Sequence, residues 1–134
     1  MELRVRYAET DQMGVAHHAN YLIWCELART RHLADRGASY RELEEAGLRL
    51  PVTDVHVRHR APARFDDLVR VRCWVRDIAS RRVEFGYVIE RQPDNQLLAT
   101  ARTSLIAVNT HHAITTIPQH VRDLLVPIPD PMRL

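Results

Sequence analysis

The chain contains no lysine, and this absence limits its chemistry. All 19 basic residues are arginine and face 17 acidic ones, so the formal net charge is only +2. Schiff-base and general-base mechanisms that use a lysine amine are therefore excluded. The arginines are not interleaved with aromatic residues and do not form a basic helix, so we expect no nucleic-acid partner. Any anion-binding site in this chain has to be built from arginine.

Cysteine and long apolar runs are also scarce. Cys25 and Cys73 are the two cysteines, which excludes a disulfide scaffold and favours a reducing cytoplasm. The longest uninterrupted apolar stretch, Tyr21–Cys25, is far shorter than the ~20 residues that a membrane span needs. The first residues lack the apolar segment of a secretory signal peptide. We therefore expect a cytoplasmic protein without a membrane span.

Several motifs that carry chemistry in other proteins are missing. The sequence has no GxSxG elbow, no phosphate-binding P-loop, no GxGxxG and no CxxC. Cys25 lies within an apolar run, which favours a buried small side chain over a nucleophile. The pairs His17–His18 and His111–His112 lack the spacing of metal ligands, because adjacent side chains point in different directions. We predict neither a metal site nor a cofactor.

The overall composition of the chain is that of a globular protein. The chain has 134 residues, 46% of them apolar and 27% charged, without repeats or linkers, so we expect one domain over residues 1–134. Apolar and polar residues alternate over residues 1–7, which predicts a short strand. The apolar spacing then becomes that of a helix over about Ala19–Arg36. Ser39 and Glu42 form a capping box for a second, short helix that ends near Gly47.

From Leu50 onward the apolar period changes from that of a helix to that of a strand. Apolar and polar residues alternate in four runs, followed by a short helix after Pro118; the strand runs cover residues 55–61, 69–76, 83–90 and 97–109. Strands with one apolar face are typical of antiparallel sheets covered on one side. We therefore predict an α+β fold in which an antiparallel sheet surrounds one long helix. Its exposed edge strands favour pairing with a second subunit.

Most arginines of these strands fall on the polar positions. Arg58, Arg70, Arg72 and Arg76 are therefore interpreted as an outer, solvated sheet face. The adjacent pair Arg81–Arg82, which follows Ser80 at the start of a strand, is a candidate site for phosphate groups, since guanidinium groups offer planar bidentate hydrogen bonds.

The loop between the first strand and the long helix carries the strongest candidate for catalysis. Asp11 lies too far before the helix to cap it, and Gly14, His18 and Asn20 follow it. The start of the helix offers free backbone N–H groups and the positive end of the helix dipole, which would polarise a carbonyl oxygen. A carboxylate beside such donors suits acyl transfer, with Asp11 either attacking the carbonyl or deprotonating a water.

The same loop carries a resemblance to a known family. The run Tyr7-Ala-Glu-Thr-Asp11-Gln-Met-Gly14, followed by His18-Ala-Asn-Tyr21 and Glu26-Leu-Ala28-Arg29, resembles the hotdog-fold thioesterases. The nearest groups are the 4-hydroxybenzoyl-CoA thioesterase family and its YbgC-type acyl-CoA thioesterase branch. The resemblance continues through Pro62–Leu68, Ser80–Arg82 and Pro118, so it covers most of the chain.

The resemblance implies a set of site residues. Asp11 matches the catalytic carboxylate, and the backbone N–H at the position of His18 is expected to bind the thioester oxygen. Tyr7 matches a residue that lines the pocket, and the spacing of Gly14 and Tyr21 from Asp11 matches the same substrate site. Arg81 and Arg82 match a region that touches the CoA phosphates. In addition, Arg60 and Pro62 are candidates for a wall that crosses between subunits.

The resemblance also implies an assembly. The active site of the family lies at the interface of a homodimer, and dimers often pair into homotetramers. One departure is His17, which stands where relatives carry a bulky apolar or aromatic residue and therefore leaves the acyl preference open.

We accordingly predict an acyl-CoA thioesterase. An acyl-carrier-protein thioesterase and a non-catalytic module that binds acyl thioesters stay open as alternatives. A hotdog dehydratase is disfavoured, because His17–His18 lack the proline-rich loop that surrounds the histidine of those enzymes.

Overall fold

The structure is a computed structural model that describes residues 1–134. Its elements follow the predicted order, with a short 3-10 turn at Tyr7–Glu9 after the first strand. They are β1 (Glu2–Arg4), α1 (Asn20–Asp35), α2 (Tyr40–Glu45), β2 (Val52–His59), β3 (Leu68–Ile78), β4 (Arg82–Gln92), β5 (Gln96–Ile106) and α3 (Gln119–Leu124). None of the helices is long and apolar enough to cross a membrane.

The strands form one antiparallel sheet in the order β1-β3-β4-β5-β2. Helix α1 lies against β3 on the inner face of the sheet. This arrangement confirms the predicted α+β class, with a long helix held by an antiparallel sheet. Strand β2 is the last strand of the sheet and has β5 as its single partner, so one of its edges is open, as the sequence indicates.

The alternation of the strands explains the core. Val75, Phe85 and Ile89 are fully buried in the same apolar cluster as Trp24 and Ala28 of α1. The cluster therefore fills the space between the sheet and the buried side of the helix, at native packing density. The opposite side of α1 is open in the single chain, where Ile23 and Leu27 are 48% and 50% exposed.

A buried polar network fixes α1 on the sheet. The Nη1 group of Arg29 donates a hydrogen bond to the hydroxyl oxygen of Tyr87 at 3.0 Å. The Tyr87 hydroxyl also shares a hydrogen bond with Thr103 on β5 at 2.8 Å. Burial raises the pKa of Tyr87 above its ordinary range despite the neighbouring Arg29 charge. The network thus joins the helix to β4 and β5 through neutral and cationic groups, without a carboxylate.

The C-terminal segment packs on β3 and on part of the outer face of the sheet, a contact that was not predicted. Ile128 donates its backbone N–H to the carbonyl oxygen of Val75 at 3.0 Å. The carboxylate of Asp130 accepts hydrogen bonds from Trp74 Nε1 at 3.0 Å and from Arg76 Nη2 at 2.8 Å. We call residues 126–130 the C-terminal strap.

Two consequences follow for the outer face. Arg76, expected in solvent, is only 22% exposed because it lies between Glu84 and Asp130. Trp74 lies flat on Gly86, where a Cβ atom would be 2.5 Å from the indole ring. Gly86 therefore makes room for the ring that the C-terminal strap then covers.

The substitution Asp130→Asn is expected to destabilise the fold by about 1 to 2 kcal/mol at neutral pH, since it removes charge-assisted hydrogen bonds that are partly exposed. Hydrogen bonds from Arg76 hold the pKa of Asp130 below its ordinary value. The contribution is therefore present above the ordinary carboxyl pKa and is lost as the pH falls through the lowered one. Urea unfolding of both proteins over a pH series measures the difference. Asp77→Asn, at an exposed carboxylate of the same region, is the matched control and should leave stability unchanged.

Candidate active site

The loop that carries Asp11 is closed by backbone hydrogen bonds. Asp11 donates its N–H to the carbonyl oxygen of Val15 at 2.9 Å and accepts the N–H of Gly14 on its own carbonyl at 2.9 Å. Gly14 adopts a φ of 76°, a left-handed conformation that glycine accepts without strain. The Met13 N–H donates to Oδ1 of Asp11 at 2.8 Å. This bond fixes the carboxylate and leaves its other oxygen, Oδ2, without a partner in the chain.

Glu9 connects this loop to helix α1. Its carboxylate is nearly fully buried, at 4% exposure of the residue, and accepts the N–H groups of Arg6 and of the Trp24 indole, each at 2.8 Å. Its carbonyl oxygen accepts the backbone N–H of His17 and the side-chain amide of Asn20, both at 2.8 Å. We call these four contacts the Glu9 clamp.

The charge state of Glu9 follows from these contacts. Burial would raise the pKa of its carboxyl group, but the hydrogen bonds from Arg6 and Trp24, with the Arg6 charge, outweigh burial and lower it. Glu9 is therefore ionised at neutral pH, although it lies in the interior.

One backbone donor just before α1 is unpaired and lies beside the loop. The helix begins at Asn20, after Ala19, and Nδ1 of His17 accepts the Ala19 N–H at 3.2 Å. The His17 and His18 rings lie 4.2 Å apart. The backbone N–H of His18 has no acceptor within the chain, as expected of a group that binds a ligand oxygen.

Asp11 and His18 open on the same cleft, which has a volume of about 320 Å³. Of the residues predicted for the substrate site, Tyr21, Arg60 and Pro62 also line it. The remaining lining residues are Met13, Val15, Ala16, His59 and Ala61. The lining is half apolar, with a carboxylate and two imidazoles among its polar groups, which suits an apolar acyl group attached to a polar reacting centre.

Tyr21 forms the buried wall of this cleft. Its hydroxyl oxygen accepts the backbone N–H of Ala63 at 3.1 Å, and its ring meets that of His59 edge to face at 4.7 Å. Burial raises the pKa of Tyr21 above its ordinary value, so the phenol is neutral.

Four of the predicted residues lie outside the cleft. Tyr7 is 78% exposed and packs against the ring of Phe65 at 5.7 Å. Gly14 shapes the loop rather than the wall. Arg81 and Arg82 lie where β4 begins, beside the end of β5, whereas the cleft lies where β2 ends and β5 begins. In a single chain, these arginines are therefore at the opposite end of the sheet from Asp11.

The structure adds two residues that the sequence analysis did not single out as site residues. Glu9 lies inside the motif around Asp11. Its hydrogen bond with Trp24 joins residues distant in the chain, so local sequence patterns do not predict it. His59 lies in the cleft through its contact with Tyr21, which also joins residues distant in the chain and was not predicted. Cys25, by contrast, is 1% exposed, and burial raises its pKa to about 12, so it is a thiol of the core.

The fold and the cleft define a class, the hotdog proteins, in which an antiparallel sheet holds a central helix. A family model described as the thioesterase-like superfamily matches residues 5–129. The chain therefore belongs to the thioesterase-like superfamily, which confirms the prediction of a thioester hydrolase.

Individual relatives agree with this membership. YneP of Bacillus subtilis, whose name provisionally assigns it as an acyl-CoA thioesterase, is 38% identical over 81% of this chain and 78% of its own. The acyl-CoA thioester hydrolase YbgC of Escherichia coli O157:H7 is 30% identical over 80% of this chain and 79% of its own.

Among solved structures, a DHNA-CoA thioesterase from Staphylococcus aureus is 32% identical, with a TM-score of 0.86 over 92% of this chain and 83% of its own. The hypothetical protein TT1821 from Thermus thermophilus is 37% identical, with a TM-score of 0.88 over 93% of this chain and 95% of its own.

The substitution Glu9→Gln is expected to destabilise the protein by about 2 to 3 kcal/mol at neutral pH, because the amide turns an N–H group toward one of two buried donors. Since the pKa of Glu9 is lowered on folding, this contribution is present above the ordinary carboxyl pKa and disappears as the pH falls through the lowered one. Urea unfolding at a series of pH values tests this. Glu44→Gln, at an exposed carboxylate of α2, is the control, and equal losses in the two variants would contradict a special role for Glu9.

Proposed function

We propose that this protein hydrolyses the thioester of an acyl-CoA to a carboxylic acid and free CoA, as a member of the YbgC-type branch. The observation that carries the proposal is the shared cleft of Asp11 and His18, in which an anchored carboxylate lies beside an unpartnered backbone N–H. The family run Tyr7–Gly14 and the likeness to YbgC support the choice of branch and of CoA thioesters.

The geometry suggests the order of events. The thioester carbonyl oxygen accepts the N–H of His18, at the positive end of the α1 dipole, where negative charge develops in the transition state. The free oxygen of Asp11 takes a proton from a water, whose oxygen bonds to the carbonyl carbon. The tetrahedral intermediate then expels the sulfur of CoA as a thiolate, and the proton held by Asp11 passes to the thiolate or to solvent. Direct attack by Asp11, through an anhydride that water cleaves, uses the same groups.

The substitution Asp11→Asn keeps the acceptor for Met13 and removes the base. We expect kcat on the best substrate of an acyl-CoA panel to fall by about two or more orders of magnitude. Thiol release monitored with a colorimetric reagent provides the measurement. Asp35→Asn, at an exposed carboxylate of the far end of α1, is the control and should retain full activity. Equal thiol release by wild type and Asp11→Asn would exclude the proposed role, and tight acyl-CoA binding without turnover by the wild type would favour a non-catalytic module.

We further propose that the working unit is a homodimer joined along the open edge of β2. Val52 and Val55 on this strand are 42% and 48% exposed, an apolar content that is unusual for an unpaired edge. A two-fold axis pairs β2 antiparallel with its own copy, which extends the sheet across both subunits.

This symmetry would bring Arg81 and Arg82 of one subunit near the cleft of the other. Antiparallel pairing of β2 with its copy reverses the partner's sheet, so the end of the partner's β4 that carries these arginines comes to the end where Asp11 lies. Three strand spacings then separate β2 from the partner's β4, roughly 15 Å, a span that suits a pantetheine arm running from the thioester to its diphosphate. The arginines of one subunit therefore serve the cleft of the other.

Charge reversal of both arginines, Arg81→Glu with Arg82→Glu, is expected to raise KM for acyl-CoA at least tenfold and to leave an acyl-pantetheine substrate unaffected. A double reversal at Arg41 and Arg49, exposed residues near α2, changes the net charge equally and is the control. Equal effects on both substrates would show that the arginines do not bind phosphates. A wild type that prefers acyl-carrier-protein thioesters over acyl-CoA would favour that alternative substrate.

A mixing experiment tests the placement across subunits. Neither the Asp11→Asn dimer nor the doubly reversed dimer hydrolyses low concentrations of acyl-CoA well. A mixed dimer, however, contains one site with an intact Asp11 and intact partner arginines. Random exchange should therefore restore about a quarter of the wild-type activity. If the arginines served their own subunit, the mixture would gain nothing.

A further inference from the structure

His59 is the last residue of β2, and its side chain lies in the cleft with Asp11 and His18. Strand alternation places it on the inner face with Val55 and Val57, which oppose Thr103 and Ala101 of β5. His56, three residues earlier, lies on the outer face.

The His59 ring is held in place but retains its hydrogen-bonding capacity. It meets the Tyr21 ring edge to face at 4.7 Å, with an angle of 89° between the planes, and Tyr21 is itself 2% exposed and bonded to Ala63. Neither ring nitrogen of His59 has a hydrogen-bond partner within the chain. An oriented imidazole with two unused nitrogens therefore faces a cleft that also contains a carboxylate.

The surroundings of His59 favour its neutral form. His59 is exposed in the single chain, and partial desolvation by its neighbours is the first cause, with the nearby His18 as the second, that lowers the pKa of His59 below its ordinary value. The titratable or charged groups around it are Asp11 and His18 from the loop, Tyr21 from α1 and Arg60, which follows it in the chain. A neutral imidazole has one nitrogen that accepts a hydrogen bond.

We propose that His59 is a further catalytic residue, which holds the hydrolytic water against Asp11. One hydrogen of the water bonds to the carboxylate of Asp11 and the other to the unprotonated nitrogen of His59, so a lone pair of the oxygen is directed at the thioester carbon. Asp11 takes the first proton as the new C–O bond forms, and the C–S bond breaks afterwards. The second hydrogen of the water, which was donated to His59, stays on the oxygen of the product acid and is then released to solvent. This inference rests on the proposed hydrolysis by Asp11.

Two substitutions separate this role from simple packing against Tyr21. His59→Phe keeps an aromatic ring and removes the acceptor, whereas His59→Gln keeps an acceptor oxygen and removes the ring. We expect kcat to fall about 10- to 100-fold in His59→Phe and less in His59→Gln. His56→Gln, on the opposite face of the same strand, is the matched control and should retain wild-type kcat. Thermal unfolding of each variant shows whether it is folded.

The pH profile provides an independent readout. In the wild type, kcat/KM should fall as the pH drops through the pKa of His59, because the protonated ring no longer accepts a hydrogen bond. In His59→Gln this decrease should move to lower pH, because the imidazole that titrates is absent. A profile unchanged in His59→Gln would assign the titration to another group and overturn the proposal.

The outcomes also distinguish this inference from the proposed function. If Asp11→Asn is inactive while both His59 variants retain wild-type kcat, only the role of His59 is wrong. If His59→Phe retains wild-type kcat while His59→Gln loses activity, packing against Tyr21 explains the loss and the water-holding role is again excluded. Full activity of Asp11→Asn would refute the underlying mechanism as well.

Discussion

The cleft depends on the hydrogen bonds that the buried carboxylate of Glu9 accepts. A charge in the interior is tolerated only where hydrogen bonds replace its hydration, and the Glu9 clamp supplies them from a turn and from the central helix. The same residue holds His17 and Asn20 through its carbonyl oxygen. Asp11 follows two residues later and His18 directly follows His17, so both sides of the cleft are set by one anchored residue. Reactive geometry is thereby coupled to fold stability.

Much of the fold follows from the periodicity of the sequence. The long helix, predicted from Ala19, begins at Asn20, and alternation located all four long strands to within a few residues. Asp11 was identified because it stands unexplained between a strand and an apolar helix. In contrast, the contacts of Glu9 with Trp24, His59 with Tyr21 and Asp130 with Trp74 join distant parts of the chain. Local patterns carry no information about such pairings, since they depend on how elements pack.

Under the proposed mechanism, the single chain lacks part of its substrate site. Asp11 and His18 lie at one end of the sheet, whereas Arg81 and Arg82 lie at the other end. Apolar side chains also stay exposed on β2 and on the outer side of α1, where Val55 and Ile23 are each 48% exposed. In the proposed homodimer, pairing along β2 would cover the exposed valines of this strand and would bring the partner's arginines to the end of the sheet where Asp11 lies.

The contact of Trp74 with Gly86 has a consequence for how the sequence can vary. With a Cβ position only 2.5 Å from the indole, any larger residue at position 86 requires a smaller one at position 74, and the C-terminal strap then loses the surface that it covers. The two positions, together with Asp130, are therefore expected to change jointly among related sequences. Their covariation would mark the strap as an inherited structural unit that varies independently of the loop that carries Asp11.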